Sequence, residues 1–195
     1  MTNIMVDSTA LGALTIAVLL EGSVILGLLV SILSEDRRFW PPGNVSWKFW
    51  YYWGGSAITF AALAVVGYLD AGSFVFTTRL WDWIGTVLLV LGTGFAGWSG
   101  YLFRTRESFG LAGELHTGGP YRYSRNPQYV GMVGIFTGIA LIVNATLLFV
   151  GFLPVFVWLW LLPRAEEPWL RDQFGEEYEA YRESVPRFLG IRSLK

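Results

Sequence analysis

Residues 130–162 read VGMVGIFTGIALIVNATLLFVGFLPVFVWLWLL, thirty-three positions that are continuously apolar except for Asn144. One helix of that length would measure about 50 Å, against a bilayer hydrocarbon core of about 30 Å. The stretch is therefore expected to break at Asn144-Ala145-Thr146. It then forms a tight hairpin of two short helices, 129–143 and 146–162, rather than one tilted span.

Upstream lie three further apolar runs, 11–33, 49–69 and 83–103, each close to the roughly 20 residues a transmembrane helix needs. The first is not expected to be a signal peptide, because residues 1–10 hold no Lys or Arg and the run is too long. The second opens among Trp47, Trp50, Tyr51, Tyr52 and Trp53, an interfacial aromatic belt. Between these two runs, Ser34-Glu35-Asp36-Arg37-Arg38 and Pro41-Pro42-Gly43-Asn44 read as a loop. Downstream of Pro163, Leu170, Phe174, Tyr178, Tyr181 and Val185 recur at spacings of four, four, three and four. That is one face of an amphipathic helix, with Pro168 near its start and Pro186 past its end. The expected fold is an all-α integral membrane protein with five transmembrane helices, the last two a tight hairpin, plus a C-terminal cytoplasmic amphipathic helix. The chain is expected to be one membrane domain, 1–195, with three N-terminal spans in 11–103. The remainder, 104–195, holds a polar loop, the hairpin and the last helix.

Composition agrees and excludes several functions. The chain has 195 residues, of which 53% are hydrophobic and only 15% charged, where soluble domains carry about 25%. The formal charge of −1 argues against nucleic-acid binding. With no Cys and one His, disulfides, thiolate sites and a multi-His metal site are excluded.

The placement of charge tests the span count. Five spans put thirteen of the fourteen basic residues on one side: Arg37, Arg38 and Lys48; Arg104, Arg106, Arg122 and Arg125; and Arg164 with the basic residues of the tail through Arg192 and Lys195. Only Arg79 falls on the other side. By the positive-inside rule the N-terminus is outside and the C-terminus cytoplasmic.

The same topology brings two polar segments to one face, 113–129 and Arg164-Ala165-Glu166-Glu167. Glycines and prolines shape such a loop, arginines and backbone amides donate hydrogen bonds, tyrosines stack, and a carboxylate pair holds a cationic group. Gly92-Thr93-Gly94-Phe95-Ala96-Gly97 fits G-x-G-x-x-G by letter, but it lies inside an apolar run and not after a strand. Gly92, Ala96 and Gly100 read instead as a small-residue packing ridge, as do Gly131, Gly134 and Gly138. Glu21 sits mid-span and is expected to face the bundle interior, in a functional or a pairing role.

Gly119-Pro120-Tyr121-Arg122-Tyr123-Ser124-Arg125-Asn126-Pro127-Gln128-Tyr129-Val130-Gly131 resembles the loop of the isoprenylcysteine carboxyl methyltransferase family and its phospholipid methyltransferase relatives. Glu166-Glu167, Phe174-Gly175-Glu176-Glu177-Tyr178, Tyr181 and Val185-Pro186-Arg187 continue the likeness in the family's order. The resemblance covers about half the chain, from Leu91 to Leu189. It implies a methyltransferase using S-adenosylmethionine (SAM), with a hydrophobic or lipid-borne methyl acceptor taken from the bilayer. It also implies cofactor contacts from Glu114, Leu115, His116, Tyr121, Arg125, Asn126, Pro127, Tyr129, Glu166 and Glu167. Two positions depart from the pattern. The family's His is Asn126, which does not titrate near neutrality and so cannot shuttle a proton. An Arg expected one turn before the acidic pair is replaced by Leu161-Leu162-Pro163, with Arg164 displaced toward the pair, which weakens the case for a prenylcysteine carboxylate. Arg164 is left as a candidate for orienting substrate, and no catalytic base is assigned. Methyl transfer would be in line to O, N or S. Two alternatives stand beside this reading: an NADPH-dependent enzyme similar to membrane sterol reductases, and a non-enzymatic membrane subunit docking a partner through the 170–185 face.

Overall fold

A computed structural model describes residues 7–102, 109–111 and 113–190 of the chain. Expectations that rest on Phe103, Arg104, Arg106, Arg192 and Lys195 lie outside the described residues. Five α-helices make up the fold among them: α1 Ser8–Leu33, α2 Trp47–Leu69, α3 Arg79–Leu102, α4 Pro127–Val143 and α5 Thr146–Ser184, with short 3₁₀ turns at Glu35–Arg37 and Gly119–Arg122. Four of them, α1, α2, α3 and α5, are long and apolar enough to cross a membrane. The fifth, α4, is apolar but has 17 residues, about 25 Å of helix.

The chain breaks at Asn144, as the length of the apolar run requires. Asn144 adopts the left-handed conformation (φ 52°, ψ 44°), which Asn tolerates better than most residues. Its Nδ2 donates to the carbonyls of Phe74 (3.2 Å) and Phe76 (2.9 Å). Asp70 Oδ2 accepts from the backbone N–H of Leu147 at 2.7 Å, and Ser73 Oγ accepts from that of Thr146 at 2.9 Å. The connection after α2 therefore caps the hairpin, satisfying amides at the start of α5 that would otherwise be orphaned.

At the other end of α5 the sequence reading is corrected. No separate helix begins near Pro168. The helix continues through Pro163 and Pro168, and its interruption is at Gly175 (φ 52°, ψ −127°). Proline removes one hydrogen bond and kinks a helix without ending it when both flanks are packed, and Pro163, Ala165 and Glu167 are all buried. Gly175 holds a backbone conformation closed to residues with a Cβ. Before that interruption, residues 146–174 of α5 extend about 43 Å, well beyond a bilayer core of about 30 Å. Its apolar part stops at Leu162, so we read 146–162 as the span and 163–184 as its extension beyond the hydrocarbon.

Two packing modes hold the bundle. On α1, Ala10, Ala17, Glu21, Val24, Leu28 and Ser31 form one buried stripe against α2 and α5. Tyr51 Oη donates to Ser23 Oγ at 2.7 Å, which ties α2 to α1 near its middle. The second mode joins α3 to α4 backbone to backbone. A Cβ on Gly92 would lie 2.6 Å from the carbonyl oxygen of Gly131, and one on Gly138 would lie 2.6 Å from that of Gly85. In lipid, helices gain nothing by hiding apolar surface from each other, so close approach through small residues supplies the attraction. The expected ridge is present at Gly92 and Ala96. Gly100 does not share it, since a Cβ there meets nothing nearer than Gln128 at 3.8 Å, and Gly85 joins it instead.

Glu21 faces the interior at 2% exposure, and its Oε1 has no hydrogen-bond partner among the described residues. Leu170, Phe174, Tyr178, Tyr181 and Val185 pack around Tyr121 and Leu115. The face that a docking partner would need is thus consumed within the chain.

Candidate functional site

Three segments meet at the end of the hairpin where α4 begins and α5 leaves its span. The first is the link between α1 and α2. Ser31 Oγ accepts from the backbone N–H groups of Phe39 (2.8 Å) and Trp40 (3.0 Å), which folds the link back under α1. Arg38 pairs with Asp172 of α5 at 2.7 Å. Trp40 is thereby buried, with its ring stacked on Tyr52 at a centroid distance of 3.9 Å.

The second segment is the loop before α4. Gly119 (φ 55°) turns it into a single 3₁₀ turn that buries Pro120 and Tyr121. Tyr181 Oη donates to the Tyr121 carbonyl at 2.8 Å. The third segment, 185–187, pins the loop from outside. The backbone N–H of Arg125 donates to the Pro186 carbonyl at 2.9 Å, and Asn126 Nδ2 donates to the Arg187 carbonyl at 2.9 Å. Asn126 therefore serves as a tie between two segments, a role that an amide fills without titrating.

The two carboxylates of the acidic pair point to different work. Glu167 is held by two arginines: Nε and Nη2 of Arg187 donate to its two oxygens at 2.7 Å each, and Arg125 Nη1 lies 2.9 Å from Oε1. Arg125 Nη1 also donates to Tyr178 Oη at 3.3 Å. Burial alone would raise the Glu167 carboxyl, but the Arg187 hydrogen bonds and the charges of Arg125 and Arg187 outweigh it and hold the group below the ordinary carboxylate value. The same bond raises Arg187.

Glu166 has no cationic partner among the described residues. Its Oε1 accepts from Tyr129 Oη at 2.5 Å and from Trp40 Nε1 at 2.8 Å. Burial lifts its carboxyl to about 7, against the pull of those two hydrogen bonds and with a further push from the Glu167 charge.

Around Glu166 lies a cavity of about 110 Å³ bounded by Trp40, Glu114, Tyr121, Arg125, Tyr129 and Phe174, among others. A second lobe of about 70 Å³ shares Glu114, Tyr121, Arg125 and Asn126 with it and adds Leu115, His116 and Glu167. The expected cofactor residues Glu114, Leu115, His116, Tyr121, Arg125, Asn126, Tyr129, Glu166 and Glu167 thus border one or both lobes. Pro127 borders neither; it is buried as the first residue of α4. Arg164 is not brought in. Its guanidinium lies 3.5 Å over the Trp160 ring and donates to the Trp160 carbonyl at 2.5 Å.

Sequence reasoning missed Trp40, Gln128 and Arg187 as contributors. Arg187 carried a signal, since it stands in the matched Val185-Pro186-Arg187 run. Trp40 carried none, because it sits in a segment read only as a loop.

A carboxylate in an aromatic setting, at the border of a cavity, can accept a cationic amino group. A family model described as phospholipid methyltransferase matches residues 80–177, about half of the chain. The match runs from α3 through Glu166 and Glu167 and leaves out α1, α2 and Trp40. No curated protein and no solved structure matches the chain.

Proposed function

The chain belongs to the phospholipid methyltransferase family, a membrane methyltransferase family acting on lipid-like substrates, and from that premise we propose that it uses S-adenosylmethionine to methylate a hydrophobic or lipid-borne acceptor. The transfer is in line, to O, N or S, at the cytoplasmic face, with the N-terminus outside. The observation that carries the cofactor assignment is the position of Glu166, half-buried, held by Tyr129 and Trp40, and unpaired with any arginine among the described residues.

Glu166 binds the ammonium of the cofactor's methionine part, and Tyr129 and Trp40 keep its carboxylate aimed. Glu167 does not share that work. It fixes Arg125 and Arg187, and through them the loop 124–126, so that Tyr121 and His116 keep their places along the lobes. The donor set fits the group: one carboxylate for an ammonium and aromatic rings for the adenine and the sulfonium. When bound, SAM supplies a methyl group already activated by its positive sulfur. The chain's residues then have positioning and water exclusion to perform. No side chain is assigned as a base, because a carboxylate or thiolate acceptor needs none and an amine arrives deprotonated. The positive-inside distribution of arginine supports the orientation.

Isothermal titration of the detergent-purified chain tests this reading. SAM binding without NADPH binding is the expected result. NADPH binding without SAM binding overturns it in favour of a reductase, and binding of neither removes both enzyme readings.

A further inference from the structure

On the far side of Tyr129 from the loop lies a chamber of about 390 Å³, whose walls include Trp40, Gln128, Tyr129, Met132 and Trp158. Trp40, Gln128 and Tyr129 are also walls of the cofactor cavity. The chamber therefore adjoins the proposed cofactor cavity across these three side chains. Its lining is mostly aromatic and aliphatic, so it suits a hydrocarbon tail and not a charged headgroup.

The chamber has an end. Phe60 of α2 is its far wall and at the same time a wall of a larger apolar cavity of about 770 Å³, between α2, α4 and α5. Across that boundary Phe60 stacks on Phe136 of α4, with centroids 5.3 Å apart and planes 13° from parallel. Phe136 is backed in turn by Phe152 at 5.3 Å. Seven residues separate Trp53 from Phe60 on α2, and seven separate Tyr129 from Phe136 on α4, so the chamber is about 10 Å deep along either helix. Half a bilayer core is about 15 Å. A full-length membrane tail is longer than the chamber is deep, and where it runs on from the chamber toward the second cavity it meets the two rings.

We infer that the Phe60–Phe136 stack is the floor of the acceptor's tail chamber and selects acceptors by the length of their apolar tail. Short tails end at the stack, and long ones must displace it. This rests on the methyltransferase reading above and adds to it the substrate class, an acceptor with a short or readily bent apolar tail. Phe60 lies outside the family-matched residues and Phe136 inside them, so the stack joins the chain's second helix to the matched part. Packed aromatic pairs discriminate because they part or stay closed and do not deform gradually.

The test uses tritiated SAM with three series of probes, n-alkylamines, n-alkanoic acids and n-alkanethiols, each from butyl to hexadecyl. Wild type, Phe60→Ala, Phe136→Ala and the milder Phe60→Leu are compared, with SAM titration on each to show that the site is intact. Met132→Trp, which fills the chamber from its side, is the reverse variant. In the accepted series, kcat/KM is expected to fall by about tenfold from octyl to hexadecyl in wild type. Opening the stack should flatten that fall, and Met132→Trp should move it to shorter tails. Transfer with a length profile that none of these variants changes overturns the inference and leaves the methyltransferase reading standing. No transfer to any series with SAM still bound overturns this inference alone, and no transfer together with no SAM binding overturns the methyltransferase reading as well.

Discussion

Tyr129 donates a 2.5 Å hydrogen bond to Glu166, across a helical hairpin whose turn lies at Asn144 and Ala145. The two residues belong to different motifs of the sequence and to opposite strokes of the hairpin. Their contact separates the acidic pair into one carboxylate held by a tyrosine and a tryptophan and one held by arginines.

Glu166→Gln keeps an acceptor for Tyr129 and Trp40 but removes the charge. A charge-assisted hydrogen bond is worth about 1.5–3 kcal/mol, so SAM affinity should fall by roughly 10- to 100-fold. Helix content by circular dichroism should not change. Titration calorimetry giving an unchanged Kd would remove Glu166 from the cofactor site.

Burial lifts Glu166 from 4.5 to about 7, which sets a pH dependence. An ammonium binds the ionised form, so SAM affinity should rise as pH goes from about 6 to about 8. Stability of the ligand-free chain moves the other way. A folded-state value above the unfolded one gives a contribution that is complete below 4.5 and is lost as pH rises through about 7. Glu167, with a lowered folded value, contributes stability above 4.5 that is lost on acidification. Repeating both measurements on Glu166→Gln isolates the Glu166 part, which should vanish in the variant; a dependence that survives would assign it to another group.

Glu167→Ala should act on the fold first. It leaves Arg125, 9% exposed at its side chain, without its carboxylate, and breaking a buried pair costs about 3–5 kcal/mol. The thermal midpoint in detergent should drop well below that of Glu166→Gln. Equal midpoints for the two variants would contradict the division of roles.

The ridge between α3 and α4 predicts a contrast between two glycines of one motif. Gly92→Ala drives a Cβ to within 2.6 Å of a carbonyl oxygen, whereas Gly94 has nothing within 4 Å. Overpacking at Gly92 should cost about 1–3 kcal/mol, and Gly94→Ala should be neutral or slightly stabilising. Chemical denaturation of both variants in the same detergent decides the matter.

Arg164→Ala should leave SAM affinity unchanged, since the side chain rests on Trp160 and borders neither lobe. A tenfold loss measured by calorimetry would show that Arg164 turns into the site when ligand is present.

Much of this was legible in one dimension. The length of 130–162 against a bilayer forced a break, and Asn144 was the one residue in the run suited to it. Apolar spacing marked Leu170, Phe174, Tyr178, Tyr181 and Val185 as one face, and motif order brought the loop and the acidic pair together. Prolines misled, because Pro163 and Pro168 were read as punctuation, whereas a packed helix tolerates them and yields at Gly175.

The sequence by itself determined the membrane class, the hairpin and the neighbourhood of the site, because chain length, periodicity and charge side are local or additive properties. Only the tertiary structure decided that Glu167 meets Arg125 while Glu166 meets Tyr129 and Trp40, and that Phe60 meets Phe136. Those facts depend on distances between residues 37 to 126 positions apart, set by how helices pack side by side, and no spacing within one segment encodes them.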